Sequence, residues 1–306
     1  MIIIGAGLAG CLAGALHPNA RIFEAESQLP ANHRAVLRFR DDKIAQALGI
    51  PFRRVRVHKS IVVQGRHIDR ANPEVMNMYS RKVAGRAMER SIADIEPVDR
   101  FVAPSDFHEQ LATKCIGRIE FGHPITSLNR DEINNLNRRD IPVISTIPMP
   151  RMLNLLGIQH HHEFKFEPIF VERWHVPDCD VHQTIYFPGD ETPVYRATLT
   201  GSDLIVECAE EYPGCVDIRY VQAAFGLREV ELQTCERQSQ RYGKIVPIAT
   251  EERKRFLLRM TMEHNVYSLG RFACWRNILL DDVYEDFFRV RRMAALGTYD
   301  LIRSQS

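Results

Sequence analysis

No apolar run in this chain approaches the roughly 20 residues that a helix needs to cross a bilayer, and the first sixteen residues carry neither the charged start nor the small-residue cleavage site of a secretory leader. Its seven cysteines, at positions 11, 115, 179, 208, 215, 235 and 274, are scattered, odd in number and without a Cys-x-x-Cys pair. That argues against a disulfide framework and for reduced, partly buried thiols in a cytoplasmic protein. His160, His161 and His162 are consecutive, so on a strand their rings point different ways, and no acid or thiol stands at ligand spacing; no metal is expected. A net charge of +1 gives no whole-chain field that would favour nucleic acid.

What is there begins at the first residue. Ile2-Ile3-Ile4 reads as a buried strand running into Gly5-Ala6-Gly7-Leu8-Ala9-Gly10, and Glu24 closes Arg21-Ile22-Phe23-Glu24 nineteen residues after Gly5. Gly5 permits a tight turn out of the strand, Gly7 clears the approach of a diphosphate to the backbone, and Gly10 lets the following helix lie close to the sheet. Leu8–Leu16 reads as that helix, its N-terminus facing the phosphates. Glu24 is placed to accept hydrogen bonds from a ribose and to disfavour a 2'-phosphate. A dinucleotide site is the expectation; an ordinary strand–helix turn is the plain alternative.

Further along, Asp41–Leu48 reads as a short helix, Arg53–Gln64 as a strand turning at Gly65, and Pro73–Val83 and Ser105–Cys115 as helices, the second capped by Ser105. Ile119-Glu120-Phe121 returns to a sheet. Val143–Thr146 reads as a buried strand stopped by the loop Ile147-Pro148-Met149-Pro150. From about residue 160 the pattern changes to strand-like segments, Phe164–Trp174, Val181–Phe187, Val194–Leu199 and Asp203–Cys208, taken as an antiparallel sheet with turns at Pro177-Asp178, Gly189-Asp190 and Gly201-Ser202. Val216–Phe225 and Glu251–Met260 are helical, Val266–Leu269 is a strand, and Asp281–Arg303 is a long final helix with Val283, Phe287, Val290, Ala294 and Leu301 on its apolar face. The fold class is therefore α/β, a Rossmann-like dinucleotide domain holding an inserted, mainly antiparallel β domain that walls a substrate chamber. Its boundaries are 1–160, with a further insertion at 50–103, then 161–243, then 244–306 returning to the first domain.

The fingerprint, Val143-Ile144-Ser145-Thr146-Ile147-Pro148 and Tyr267-Ser268-Leu269-Gly270-Arg271 occur in an order that resembles the FAD-dependent amine-oxidase and UDP-galactopyranose-mutase superfamily, with its glutathione-reductase-like fold. The resemblance covers the cofactor domain and both chain ends and is weak through the central sheet. It implies FAD as cofactor, with Gly5, Gly7, Leu8, Ala9 and Gly10 at the diphosphate, Glu24 at the adenosine ribose and Arg34 beside the diphosphate. It also implies Ile119 or Phe121 near adenine, and Gly270 and Arg271 near the ribityl phosphate. Asp281, Asp282 and Val283 open a helix facing the flavin pyrimidine edge. Arg271 departs from the acid that often follows that glycine. Thr146 either contacts FAD or caps a loop, and Trp275 either covers the flavin or packs internally.

The activity implied is oxidation of an amine or amino-acid-like C–N group through FAD, with a small polar or anionic substrate. A nucleotide or a modified base in viral DNA is within that range, with C–N cleavage and a host-cytoplasm setting; such a base would leave its stack. Two alternatives stay open: a mutase-like enzyme using reduced flavin without net redox on a sugar nucleotide, and a noncatalytic dinucleotide-binding protein. Arg196, Lys244 and Tyr195 are the catalytic candidates, Arg196 for an anionic substrate. Arg173, His175, His182 and Tyr186 are weaker ones, each equally at home in a packed or solvated strand. The sequence sets no oligomeric state.

Overall fold

A computed structural model describes residues 1–29, 37–87, 91–126, 141–176, 180–209, 216–227 and 233–296. Arg34, Cys179, Cys215, the Pro177-Asp178 turn and the end of the expected final helix, including Leu301, lie outside the described residues. The chain divides into two compact units: residues 1–53, 102–165 and 245–306 form the first, and 54–101 with 166–244 the second.

In the first unit, three consecutive isoleucines make β1 (Ile2–Ile4), buried along its whole length. A strand covered on both faces has no use for alternation, which is why it reads as a continuous apolar run. It is followed by α1 (Leu8–Leu16) and β2 (Arg21–Phe23). After β3 (Arg38–Phe39) and α2 (Lys43–Leu48) the chain leaves the unit, returning with α4 (Phe107–Lys114), β7 (Ile119–Glu120), β8 (Val143–Ser145) and α5 (Met149–Leu155). It ends with α7 (Thr250–His264), β14 (Val266–Ser268) and α8 (Leu280–Ala295).

The five-stranded sheet runs β14-β8-β1-β2-β7, all pairs parallel. Ile3 stands opposite Ile22 on one side and Ile144 on the other, and Ile144 opposite Tyr267. Both chain ends thus share one sheet. Two readings need correction here. Ile147-Pro148-Met149-Pro150 is not simply a loop: Pro148 precedes α5 and Pro150 sits in its first turn, where a missing N–H removes no helical bond. And α4 is preceded by Asp106, not capped by Ser105; no side-chain cap bond forms there.

The second unit contains β4 (Arg53–Val63), β5 (Arg66–Ile68), α3 (Pro73–Ala84), β6 (Val98–Val102), β9 (Phe166–His175), β10 (His182–Tyr186), β11 (Val194–Thr200), β12 (Asp203–Cys208), α6 (Ile218–Phe225) and β13 (Gln233–Ile245). Its strands run β13-β9-β12-β11-β10-β4-β6, with β5 folded back on β4 through Gln64 and Gly65, both at positive φ. The sheet is mixed, not purely antiparallel: β10 pairs β4 in parallel, His182 opposite Val57. One face packs Val62, Trp174, Ile185, Leu199, Leu204 and Val206 against Ile218 and Val221 of α6. The other packs Ile61, Tyr186 and Tyr195 against Val75, Tyr79 and Val83 of α3.

Helix α3 shows why its segment folds as it does. The Asn72 side chain accepts from the Val75 N–H, Pro73 opens the helix, and Gly85 closes it at φ +66°. Near its end Lys82 donates to the carbonyls of Phe187 (2.9 Å), Gly189 (2.5 Å) and Thr192 (2.7 Å). All three ammonium hydrogens are used to hold the β10–β11 connection, and burial brings the Lys82 pKa down from 10.5 to about 8.

Candidate functional site

The turn between β1 and α1 carries three glycines, at positions 5, 7 and 10. Gly5 adopts φ +99°, and a Cβ there would lie 2.6 Å from Thr146 Oγ1. A Cβ on Gly10 would fall 1.8 Å from the Gly5 carbonyl oxygen, so only glycine lets α1 lie this close to β1. A Cβ on Gly7 would meet nothing within 4 Å. Gly7 is therefore required neither by packing nor by φ (−66°); what its missing side chain provides is free space at the N-terminus of α1. No side chain caps that terminus, whose first N–H groups have no intrahelical acceptor and favour an anion. Leu8 and Ala9 form its first turn.

The turn is held from three sides. Thr146 Oγ1 donates to the carbonyls of Ile4 (2.8 Å) and Gly5 (3.2 Å), tying the end of β8 to the turn. Glu24 is buried at the end of β2, its carboxylate accepting from the Ala6 N–H (2.6 Å) and the Glu26 N–H (3.0 Å). His108, on α4 and 2% exposed, places Nε2 3.0 Å from the Ala6 carbonyl, which also accepts from the Cys11 thiol at 3.1 Å. His108 was not singled out from sequence, where it is one polar residue in an amphipathic helix.

The C-terminal segment reaches the same place. Leu269 N–H donates to the Ser145 carbonyl (2.9 Å), and the chain then turns at Gly270, φ +98°, against Ala9. Arg271 lies over the Phe272 ring, 5.6 Å from its centroid, and reaches Asn277 at 3.1 Å. Trp275 is buried at φ +47°, its Nε1 donating to the Val246 carbonyl and its ring packed edge-on against Phe164 at 5.0 Å. Of its two expected roles, internal packing is the one the geometry displays.

At the start of α8, Asp281 and Asp282 are engaged by protein. Arg40 donates to Asp281 from its backbone N–H (3.2 Å) and Nε (3.3 Å) and to Asp282 from Nη2 (2.5 Å). Asp282 also caps the helix through the Leu279 N–H. Burial raises the Asp281 pKa despite Arg40. At Asp282 burial is outweighed by Arg40 and the Leu279 N–H, which hold the carboxyl below its usual range. Val283 is buried in the core. Phe121 sits just past β7 and is partly exposed.

The catalytic candidates of the second unit come out differently. Arg196 makes a bidentate pair with Glu207, Nε at 2.5 Å and Nη2 at 2.6 Å, and Tyr195 Oη donates to the same carboxylate at 3.1 Å. Neighbouring strand residues point to opposite faces; a register shift between Val194 and Arg196 is what lets Tyr195 and Arg196 share one partner. Burial opposes the Arg196 charge, but Glu207 more than offsets it and the pKa stands well above its ordinary value. Burial and Glu207 together push the Tyr195 phenol upward, keeping it protonated. The fork of Arg196, expected from sequence as a candidate for an anionic substrate, holds the Glu207 carboxylate in this structure. Arg173 is likewise bidentate to Asp203, at 2.9 and 2.7 Å. His182 Nδ1 lies 2.9 Å from Thr200 Oγ1, Tyr186 stacks edge-on with Tyr79, and His175 is exposed. Lys244 falls in β13, and its side chain lies outside the described residues. Among the described residues, no helix is long and apolar enough to cross a membrane.

No family model matches the chain, and no curated protein matches it by sequence. Solved structures do match. A reduced UDP-galactopyranose mutase superposes with a TM-score of 0.68 at 15% identity over 97% of this chain and 94% of its own. A candidate protoporphyrinogen oxidase from an Exiguobacterium species gives 0.56 at 11% identity, over 97% and 98%. Aklavinone-11 hydroxylase, solved with FAD and aklavinone, gives 0.51 at 11% identity over 96% of this chain and 62% of its own. The parallel sheet with its glycine-rich turn, the return of the C-terminal segment to that sheet and these superpositions together show that the chain shares the Rossmann-like α/β fold of these solved structures.

Proposed function

We propose that this protein is an FAD-dependent oxidoreductase acting on an amine or amino-acid-like C–N group. The observation that carries the cofactor half is Gly7: an open position at an uncapped helix N-terminus, in a turn that Gly5, Gly10, Thr146 and Glu24 hold in shape. FAD supplies a two-electron acceptor, and the chain supplies binding and orientation. The α1 N-terminus would receive the diphosphate. Glu24, each of whose oxygens keeps a lone pair beyond its bond to the turn, would receive the ribose. Gly270 would bring the C-terminal turn to the ribityl phosphate.

The substrate half rests on the charges of the second unit. A sugar nucleotide needs cations for its diphosphate, and the two central-sheet arginines that the sequence offered for that role, Arg173 and Arg196, are each paired bidentately with an acid. This favours an uncharged or cationic reacting group over an anionic one. The mutase reading keeps one specific support, the superposition over nearly the full length of both chains. An amine-bearing nucleotide, or such a base in DNA, remains within the amine reading.

The test has two stages. Purified protein should release a yellow ligand with the mass of FAD, or take FAD up when it is added. The loaded protein should then bleach anaerobically with its true amine. Turnover of a sugar nucleotide only after prereduction, with no net electron consumption, would establish the mutase reading instead. Reduction by a modified oligonucleotide but not by the free nucleoside would place the substrate in DNA. A folded chain that refuses FAD overturns the proposal.

A further inference from the structure

We infer that His108 is a positioning residue for the dinucleotide diphosphate, aiming the Gly7 N–H at it from beneath the turn; this rests on the reading of the first unit as an FAD site. The Ala6–Gly7 peptide is trans, as are all peptide bonds described, so the Ala6 carbonyl and the Gly7 N–H point in opposite directions within one rigid plane. The carbonyl is drawn inward by two buried donors, His108 Nε2 at 3.0 Å and the Cys11 thiol at 3.1 Å. The Gly7 N–H is thereby turned away from the core, on the residue whose absent side chain leaves open space. The Ala6 N–H is fixed as well, by Glu24 at 2.6 Å. Both sides of residue 6 are pinned, and the one remaining polar group of the Ala6–Gly7 plane faces outward.

The chemistry of the imidazole points the same way. A carbonyl oxygen only accepts, so it is His108 Nε2 that donates to Ala6, and the other ring nitrogen is Nδ1. That Nδ1 is fully buried and has no hydrogen-bond partner among the described residues. An aliphatic side chain would fill the space without burying an unpaired nitrogen. What the imidazole adds is its donor to Ala6. Burial also pushes the Cys11 thiol pKa up, which keeps the sulfur protonated as the second donor to the same oxygen. A group that fixes the peptide in advance spares the ligand the work of ordering it.

The experiment compares His108→Met, which fills space without a donor, with His108→Gln, which keeps an N–H, in the full chain. FAD and riboflavin, which lacks the diphosphate, are titrated by quenching of flavin fluorescence, and thermal unfolding of each apo-protein is recorded. The methionine variant should bind FAD about tenfold more weakly, because the Gly7 N–H is no longer held toward the phosphate. Its riboflavin affinity should be unchanged, and glutamine should recover most of the loss. Cys11→Ala, with His108 intact, should weaken FAD about threefold through the same oxygen and serves as the readout if His108→Met does not fold. Equal loss of FAD and riboflavin, or no loss of FAD in either variant, overturns the inference while leaving the flavoprotein reading in place. A wild-type chain that binds no FAD overturns both.

Discussion

Gly270 and Ala9 stand so close that a Cβ on Gly270 would lie 2.9 Å from the Ala9 methyl, and Gly270 holds φ +98°. Residues 261 positions apart therefore meet at the first turn of α1, each small for the sake of the other. Gly270→Ala introduces both a left-handed backbone strain and a methyl–methyl overlap. The expected loss of stability is about 2–3 kcal/mol, measured by urea unfolding, together with weaker FAD uptake. A variant as stable as wild type would mean that the two segments do not touch.

Gly7 and Gly10 make opposite predictions from the same motif. Gly10→Ala drives a methyl into the Gly5 carbonyl at 1.8 Å and should lower stability by about 3 kcal/mol or more. Gly7→Ala meets no protein atom and at φ −66° should change stability by less than about 1 kcal/mol, the entropy gained by removing a glycine being opposed by the poorer N-cap. Its FAD affinity should nevertheless fall on the order of 100-fold, because the methyl occupies the space meant for phosphate. Parallel melting and titration of the two variants separates a folding glycine from a ligand glycine.

How much of this was legible beforehand depends on how far each feature travels along the chain. The β1–α1 turn was readable because its pattern is local: Gly5, Gly7 and Gly10 fall within six consecutive residues, and Gly10 answers to the Gly5 backbone five positions before it. Strand β13 was missed: Gln233–Ile245 is rich in polar residues and lies at one end of its sheet, so it carries no apolar alternation. The parallel pairing of β4 with β10 joins segments some 125 residues apart by position, and nothing local records it. The pairing of Arg196 with Glu207 left no trace in the sequence, because that partner is reached only through strand register and a bulge. His108 gave no signal, since its meaning lies wholly in Ala6, which is 102 positions away.

Lys82 predicts a pH dependence. In the folded chain burial sets its pKa at about 8, against 10.5 unfolded. Between those values the unfolded chain binds more protons, so this group's contribution makes the fold more stable as pH rises from about 8 to 10.5. Lys82→Met leaves the carbonyls of Phe187, Gly189 and Thr192 without this donor and should destabilise by about 2 kcal/mol at neutral pH. The gap between wild type and variant should widen above pH 8 in denaturant titrations. A gap that does not change with pH would count against the lowered pKa.

The pair Arg196–Glu207 decides between structure and substrate for the second unit. The pair is only partly buried, the Arg196 side chain 39% and the Glu207 side chain 13% exposed, so the expected loss for Arg196→Met is about 2 kcal/mol, below the range for a fully buried pair. Glu207→Gln should cost a similar amount, and it also weakens the acceptor for Tyr195 Oη. If the arginine exists to satisfy Glu207, the double variant should be less destabilised than the sum of the singles by about 1 kcal/mol or more. Anionic inhibitors should then bind wild type and Arg196→Met alike. If instead the singles add and an anionic ligand is lost only with Arg196, the guanidinium exchanges Glu207 for substrate. The case for an uncharged or cationic reacting group would then give way to a sugar nucleotide.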